Sequence, residues 1–185
     1  MNRLPYAGQE AVKQGLAMLE ANTCLQFVPR TNEQEYLEYY VGSGCWSYVG
    51  RVTEWYGGRQ EVSLGQGCHY DYLASHETMH ALGFWHEQMR PDASNYVIMY
   101  LQNVSPGLHD NFQPMPMENW GGAGFEYDIL SVMQYDGYAF SYNGQPTIVD
   151  RATGQPVPLN RRVSSGDYQQ LNALYKCDGL VVLTV

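Results

Sequence analysis

The 185-residue sequence is poor in charge. Only 16% of its residues are Asp, Glu, Lys or Arg, with 10 basic against 19 acidic, for a net charge of −9. Nucleic acid and membrane are therefore not expected among its partners, because anionic surfaces are held by clustered Lys and Arg. No apolar run approaches the roughly 18 residues that would cross a bilayer. The opening stretch, MNRLPYAGQEAVKQGLAMLE, also lacks the run of about 7–15 apolar residues that marks a signal peptide. Four cysteines are present (Cys24, Cys45, Cys68 and Cys177), and none falls in a CxxC or other zinc-finger spacing. An even count without metal spacing favours two disulfides and an oxidising compartment, with four reduced core thiols as the alternative. A secreted chain should carry a signal, so this one reads as a trimmed piece in which Met1 is not the natural start.

What is present suits one folded domain, residues 1–185. Length over about 150 gives a prior near one domain, and a chain of this size buries about 70% of its unfolded surface. Apolar residues make up 44%, which excludes disordered, collagen-like and coiled-coil composition. Sixteen tyrosines and nineteen glycines point to a loop-rich fold whose rings pack with their hydroxyls near water. Helical spacing of Val12, Leu16 and Leu19 predicts a first helix over Gln9–Asn22. Short aromatic and β-branched runs (LQFVPR, EYLEYYVG, CWSYVGRV) predict strands between Cys24 and Leu64, with Gly57-Gly58 turning a hairpin before RQEVSL. A second helix is predicted from Tyr70 to Leu82 and stopped by Gly83, and a third from Ser165 to Lys176, capped by Ser164 or Ser165. Between Arg90 and the third helix, several prolines and the GGAG at 121–124 predict few long elements.

Chemistry concentrates in HETMHALGFWHE, residues 76–87. His76 and His80 stand four apart, so a helix projects both imidazoles from one face, within reach of a single tetrahedral Zn²⁺. Glu77 lies beside the first histidine and can accept a proton from a water that such a metal activates. Gly83 lets the chain leave the helix and return His86 as a third ligand, which leaves a coordination position open. A bare HExxH also arises by chance in proteins that bind no metal. The extended pattern fixes five positions in eleven residues, and chance then becomes a poor explanation. His69 and His109 lack partners at ligand spacing and read as ordinary surface or loop residues.

HExxHxxGxxH followed downstream by a methionine turn, here SVMQY at 131–135, is the metzincin pattern. Glu87 directly after the third histidine, Tyr135 two residues after Met133, SGCWSYVGR at 43–51, RPDASNYV at 90–97 and FS at 140–141 resemble the astacin family in particular. The likeness runs from Leu4 to Cys177. It implies His76, His80 and His86 as ligands of one Zn²⁺ and Glu77 as general base. Met133 would be an apolar floor beneath the metal. Tyr135 would be a resting fifth ligand that swings away to bond the developing oxyanion. It also implies disulfides Cys24–Cys177 and Cys45–Cys68, and an edge strand at Cys45, Trp46 and Ser47 where substrate pairs as an added strand. Core packing is an equal alternative for Trp46. Arg161 and Arg162 resemble part of the S1′ wall, although an exposed arginine pair is more commonly a solvated surface.

The sequence departs from the family pattern at Gln88 and Gln134, each standing where a histidine is usual. Tyr72 and Leu73 replace a common Gly-Thr. The segment ahead of the LPY strand is missing, so no amino terminus is expected to reach Glu87, and Arg90 is the candidate substitute cation.

The resemblance thus implies an α+β metzincin fold. Its N-terminal half, about 1–83, would hold a twisted mixed β-sheet and two helices. Its irregular C-terminal half, about 84–185, would end in one helix, with a zinc cleft between the halves. The implied function is that of a secreted, monomeric zinc endopeptidase acting on protein or peptide substrates. A catalytically weak or inactive zinc-binding interaction module is the first alternative, and a zinc hydrolase of non-peptide amides or esters the second. A single N-x-S sequon lies at Asn103, closely followed by Pro106.

Overall fold

The structure, a computed structural model, describes residues 3–52, 54, 57–116 and 124–185. Met1 and residues 121–123 of the predicted glycine-rich break lie outside them. The chain forms two compact units, Met1–Phe84 joined by Arg161–Val185, and Trp85–Asn160. The resemblance assigns the whole stretch after about residue 84 to one C-terminal half. The structure instead returns the last helix to the first unit. The fold is α+β, as the resemblance implies.

In the first unit, helix α1 spans Tyr6–Glu20 and helix α2 Asp71–Ala81. α1 begins three residues earlier than its apolar spacing suggests, because Pro5 takes the N-cap place and its carbonyl accepts the Gln9 N–H at 3.0 Å. Val12, Leu16 and Leu19 are buried along one stripe of α1. The two helices approach closely at Gly15. A Cβ there would lie 2.6 Å from the Asp71 carbonyl oxygen and 2.9 Å from the Ala74 Cβ. Helix α3, Ser165–Leu174, begins with a capping box. The Ser164 hydroxyl accepts the Asp167 N–H at 2.9 Å, and the Asp167 carboxylate accepts the Ser164 N–H at 2.8 Å.

Strands β1 (Leu25–Val28), β2 (Tyr36–Tyr40), β3 (Cys45–Ser47) and β4 (Arg59–Leu64) fall in the predicted region. β2, β4 and β3 form a mixed sheet in that order, parallel between β2 and β4 and antiparallel between β4 and β3. The hairpin predicted before RQEVSL is present as the antiparallel pair β3–β4, with Gly57-Gly58 in the turn just ahead of β4. β3 ends at Ser47, eleven residues short of β4, and β4 lies centrally between two partners. β1 does not join this sheet and pairs in parallel with a strand near the end of the chain, Val181–Thr184 (β7 below). Val185, just beyond it, packs in the same core as Val12, Leu16, Tyr39 and Leu64. Disulfides join Cys24 to Cys177 and Cys45 to Cys68, and no described cysteine is free.

The second unit has little regular structure. Strands β5 (Val97–Met99) and β6 (Ile148–Asp150) pair antiparallel, and the other described residues form short 3₁₀ turns and loops around a core of Val97, Val104, Phe112, Ile148 and Val157. β7, Val181–Thr184, completes the strand order in the first unit. Among the described residues, no helix is long and apolar enough to cross a membrane.

Candidate metal centre and catalytic residues

α2 is a helix of polar residues that is nevertheless buried, and its hydroxyls explain how. The Ser75 hydroxyl donates to the carbonyls of Gly15 and Asp71, and that of Thr78 to Ala74 while sharing a 2.8 Å hydrogen bond with the Tyr39 hydroxyl. Each polar group thus meets a partner, which is the condition for burying it. Glu77 is the exception. It is 4% exposed, and its Oε2 has no hydrogen-bond partner among the described residues. Burial pushes its carboxyl up to about 8.

The helix ends in a Schellman motif. The Gly83 N–H donates to the His80 carbonyl at 2.9 Å and the Phe84 N–H to the Met79 carbonyl at 3.0 Å. Gly83 sits at φ +108°, a conformation that disfavours residues with a Cβ. The same turn orients the second histidine. His80 Nδ1 lies 2.7 Å from the Phe84 carbonyl oxygen, so the proton belongs on Nδ1 and the Nε2 lone pair is left for a metal. Burial, with His76 alongside, lowers His80 to about 3, which keeps the imidazole neutral as a ligand requires.

Ligand atoms of His76, His80 and His86 lie within 4.8 Å of one another. Two nitrogens on one Zn²⁺, each at about 2.0–2.1 Å, stand at most about 4 Å apart, so small side-chain adjustments close the set. Three imidazoles, one held in the neutral tautomer, next to a buried carboxylate with an unsatisfied oxygen fit a zinc ion.

In the second unit, Met133 is buried, and its carbonyl accepts the Glu87 N–H at 3.0 Å. The turn is pinned by the Ser131 hydroxyl, which accepts the Met133 N–H, and by Asn160, whose amide donates to the Ile129 and Ser131 carbonyls. The Tyr135 ring lies 4.2 Å from that of His86, centroid to centroid. Glu87 is buried and does have a cationic neighbour. Arg90, itself 4% exposed, donates to Glu87 at 3.1 Å, to both Asp92 oxygens at 2.9 Å, and to the carbonyls of Phe125 and Glu126. That guanidinium holds the Asp92 carboxyl below its ordinary range. Four partners for Arg90 and a backbone donor for Glu87, the Asp128 N–H, are what the spacing of the two residues does not disclose.

The remaining predicted residues are distributed as follows. β3 is an edge of its sheet and carries Cys45, Trp46 and Ser47, with Trp46 half-buried between Tyr40 and Tyr48 in edge-to-face contacts. Arg161 and Arg162 are both exposed, and the Arg161 guanidinium stands 5.8 Å from the ring of Tyr72, one helical turn before His76. His69 and His109 each bond a backbone carbonyl, of Leu64 and Leu101. Gly15, where α1 meets α2, and the buried Gln88, bonded to Tyr135 and Asn111, have neighbours that sequence reasoning misses. A glycine on the buried stripe of α1 is the available signal for the first. A buried polar residue leaves no periodic trace, and the second has none.

The family profile named Astacin, a peptidase family, matches residues 2–176. Blastula protease 10 of Paracentrotus lividus is 39% identical over 184 residues, covering 94% of this chain and 30% of that protein. Meprin A subunit beta of Mus musculus is 38% identical over 157 residues, covering 84% of this chain and 22% of that protein. The chain thus spans under a third of either relative. Among solved structures, High choriolytic enzyme 1, a hatching enzyme zinc-protease from Oryzias latipes, superposes with a TM-score of 0.86 at 31% identity, covering 96% of this chain and 86% of that one.

Proposed function

Because the chain belongs to the astacin family of zinc metallopeptidases, we propose that it hydrolyses internal peptide bonds of proteins, with one Zn²⁺ held by His76, His80 and His86. The observation that carries this reading is the clustered histidine triad beside the buried, incompletely bonded Glu77. When bound, Zn²⁺ supplies Lewis acidity toward a carbonyl and lowers the pKa of water to about 7. Glu77 takes the proton of the attacking water and returns it to the leaving amine, a role its low-dielectric surroundings favour. The Tyr135 hydroxyl donates to the oxygen that becomes negative as the carbonyl turns tetrahedral. The buried Met133 serves as an apolar floor of the metal site, and Glu87 with Arg90 keeps the third-ligand turn in place.

Substrate backbone pairs with the edge strand at Cys45, Trp46 and Ser47. Arg161 and Arg162 favour an acidic residue on the leaving-group side of the bond, through bidentate guanidinium–carboxylate contacts. The protein is secreted, as its two disulfides suit an oxidising compartment. The residues given form one catalytic domain that acts as a monomer, without nucleic-acid or membrane partners.

The test is cleavage of casein or gelatin with and without a chelator, alongside Glu77→Gln. The expected outcome is activity abolished by chelation and restored by zinc, with the variant retaining one zinc per chain and losing nearly all turnover. Zinc retention without any cleavage by the parent protein would favour the interaction-module reading.

A further inference from the structure

Gln88 is fully buried two residues after His86, where it has no part in the ligand set. Both ends of its amide are used. Oε1 accepts the Tyr135 N–H at 3.3 Å, and Nε2 donates to the Asn111 carbonyl at 3.2 Å. Both bonds lead back to the same side chain. The first takes hold of the Tyr135 backbone. The second fixes the turn that carries Phe112, a buried ring standing edge-on to the Tyr135 ring at 5.9 Å.

Phe140 closes the other side. Its ring lies 5.5 Å from that of Tyr135 and 6.2 Å from Phe112. It does so from φ +56°, an outlier for a bulky residue, in a backbone whose carbonyl accepts both the N–H and the hydroxyl of Ser105. Gln134, the other glutamine, bonds the Tyr135 carbonyl through Nε2 at 2.9 Å and accepts the Tyr127 hydroxyl. The peptide groups on both sides of Tyr135 are therefore held by buried amides, while aromatic edges confine its ring.

We propose that Gln88 is the positioning residue of Tyr135: by fastening the Tyr135 backbone and the Phe112 turn to the segment that carries His86, it sets where the phenol stands relative to the third histidine. The inference rests on the function proposed above only in what the phenol then does. The two side-chain hydrogen bonds of Gln88 go to Tyr135 and Asn111, neither of them one of the three histidines. An amide suits the task because one planar group is donor and acceptor at once, and it carries no charge to be desolvated.

The experiment replaces Gln88 with Met, which keeps the length and loses both hydrogen bonds, and reads two quantities. The first needs no turnover. With ¹³C-labelled tyrosine, and the Tyr135 ring signal assigned by its loss in Tyr135→Phe, Gln88→Met should shift or broaden that signal in the full chain while the fifteen other tyrosines hold. The second is a double-mutant cycle. Gln88→Met should lower kcat about 10- to 30-fold with KM and zinc content unchanged, and less than about 2-fold when Tyr135 is already Phe, since residues acting through one another are non-additive. An unmoved Tyr135 signal, or an equal loss in both backgrounds, overturns the proposal. Should the parent protein cleave nothing, the peptidase reading fails and the ring signal still decides the role of Gln88. If the methionine variant does not fold, Gln88→Asn, too short to meet both partners, is put to the same two measurements.

Discussion

The two units of this molecule reach order by different means. In Met1–Phe84 with Arg161–Val185, helices and strands pair many backbone groups, apolar side chains pack, and a few polar side chains such as Ser75, Thr78 and Gln60 bond the backbone. Val12, Leu16 and Leu64 fill one core, and α1 meets α2 across a glycine. Among the described residues of Trp85–Asn160 the regular elements are three-residue strands and single turns, so carbonyls and amides must be met one at a time. Buried polar side chains do this. Arg90 serves two carboxylates and two carbonyls, Gln88 an amide and a carbonyl, and Asn160 two carbonyls. A loop-rich unit is therefore no less specified than a helical one. Its specification has moved from repeating backbone geometry into a few multivalent side chains, and each becomes correspondingly harder to replace.

The sharpest way to break this contrast is Arg90→Met, which deletes the cation and leaves Glu87 buried beside its backbone donor. Removing one partner of a buried ion pair costs about 3–5 kcal/mol, and equilibrium urea unfolding should show a loss of that order, with zinc held less firmly. Part of the lost stability carries a pH signature. Asp92 sits below its ordinary range because of Arg90, so its contribution is present above the usual carboxylate pKa and fades as pH falls through the folded value. The variant should lack that acid-side decline. A loss under about 1 kcal/mol, with the acid limb unchanged, would mean that the polar hub is ornamental.

A packing change in the first unit should come second. Gly15→Ala puts a methyl 2.6 Å from the Asp71 carbonyl oxygen, and the helices must part to admit it. Overpacking of this kind costs about 1–3 kcal/mol, offset in part by alanine's better helix propensity. Thermal unfolding and the zinc affinity of His76 and His80 would report it together. A stabilised variant would show that the close approach is not needed.

Ser164→Ala should be the mildest. It removes one half of the α3 capping box, worth about 1 kcal/mol, and the melting temperature should fall by a few degrees without any change at the histidines. A larger loss would indicate that α3 anchors more of the first unit than its own first turn.

How much of this is legible in the sequence follows the same division. α2 and its two histidines can be read because the period of a helix is local, and Gly83 announces its end. α1 can be placed to within three residues by the stripe of Val12, Leu16 and Leu19. The pairing of β1 with β7 cannot be read, since Leu25 and Val181 are partners across nearly the whole chain and VVLT alone does not say which strand it will meet. The hairpin before RQEVSL is legible, because a glycine pair next to two β-rich runs is local, but not the length of its connection, which leaves eleven residues between Ser47 and Arg59. In the second unit, Arg90 and Gln88 stand in plain view as residues near the motif, while the carbonyls they serve, from residues 111 to 126, belong to no pattern that spacing can express.

Gly83 has a consequence that concerns handedness. A Cβ at this position would meet nothing nearer than a Leu174 methyl at 3.9 Å, so room is not what excludes other residues. The backbone there runs at φ +108°, on the side of conformational space where an L-residue crowds its own carbonyl. The genetic code offers a single achiral residue for such a place. The reach of the third histidine thus depends on one position where the chain is indifferent to its own chirality, and a D-alanine introduced there by chemical synthesis would suit the turn better than any encoded side chain.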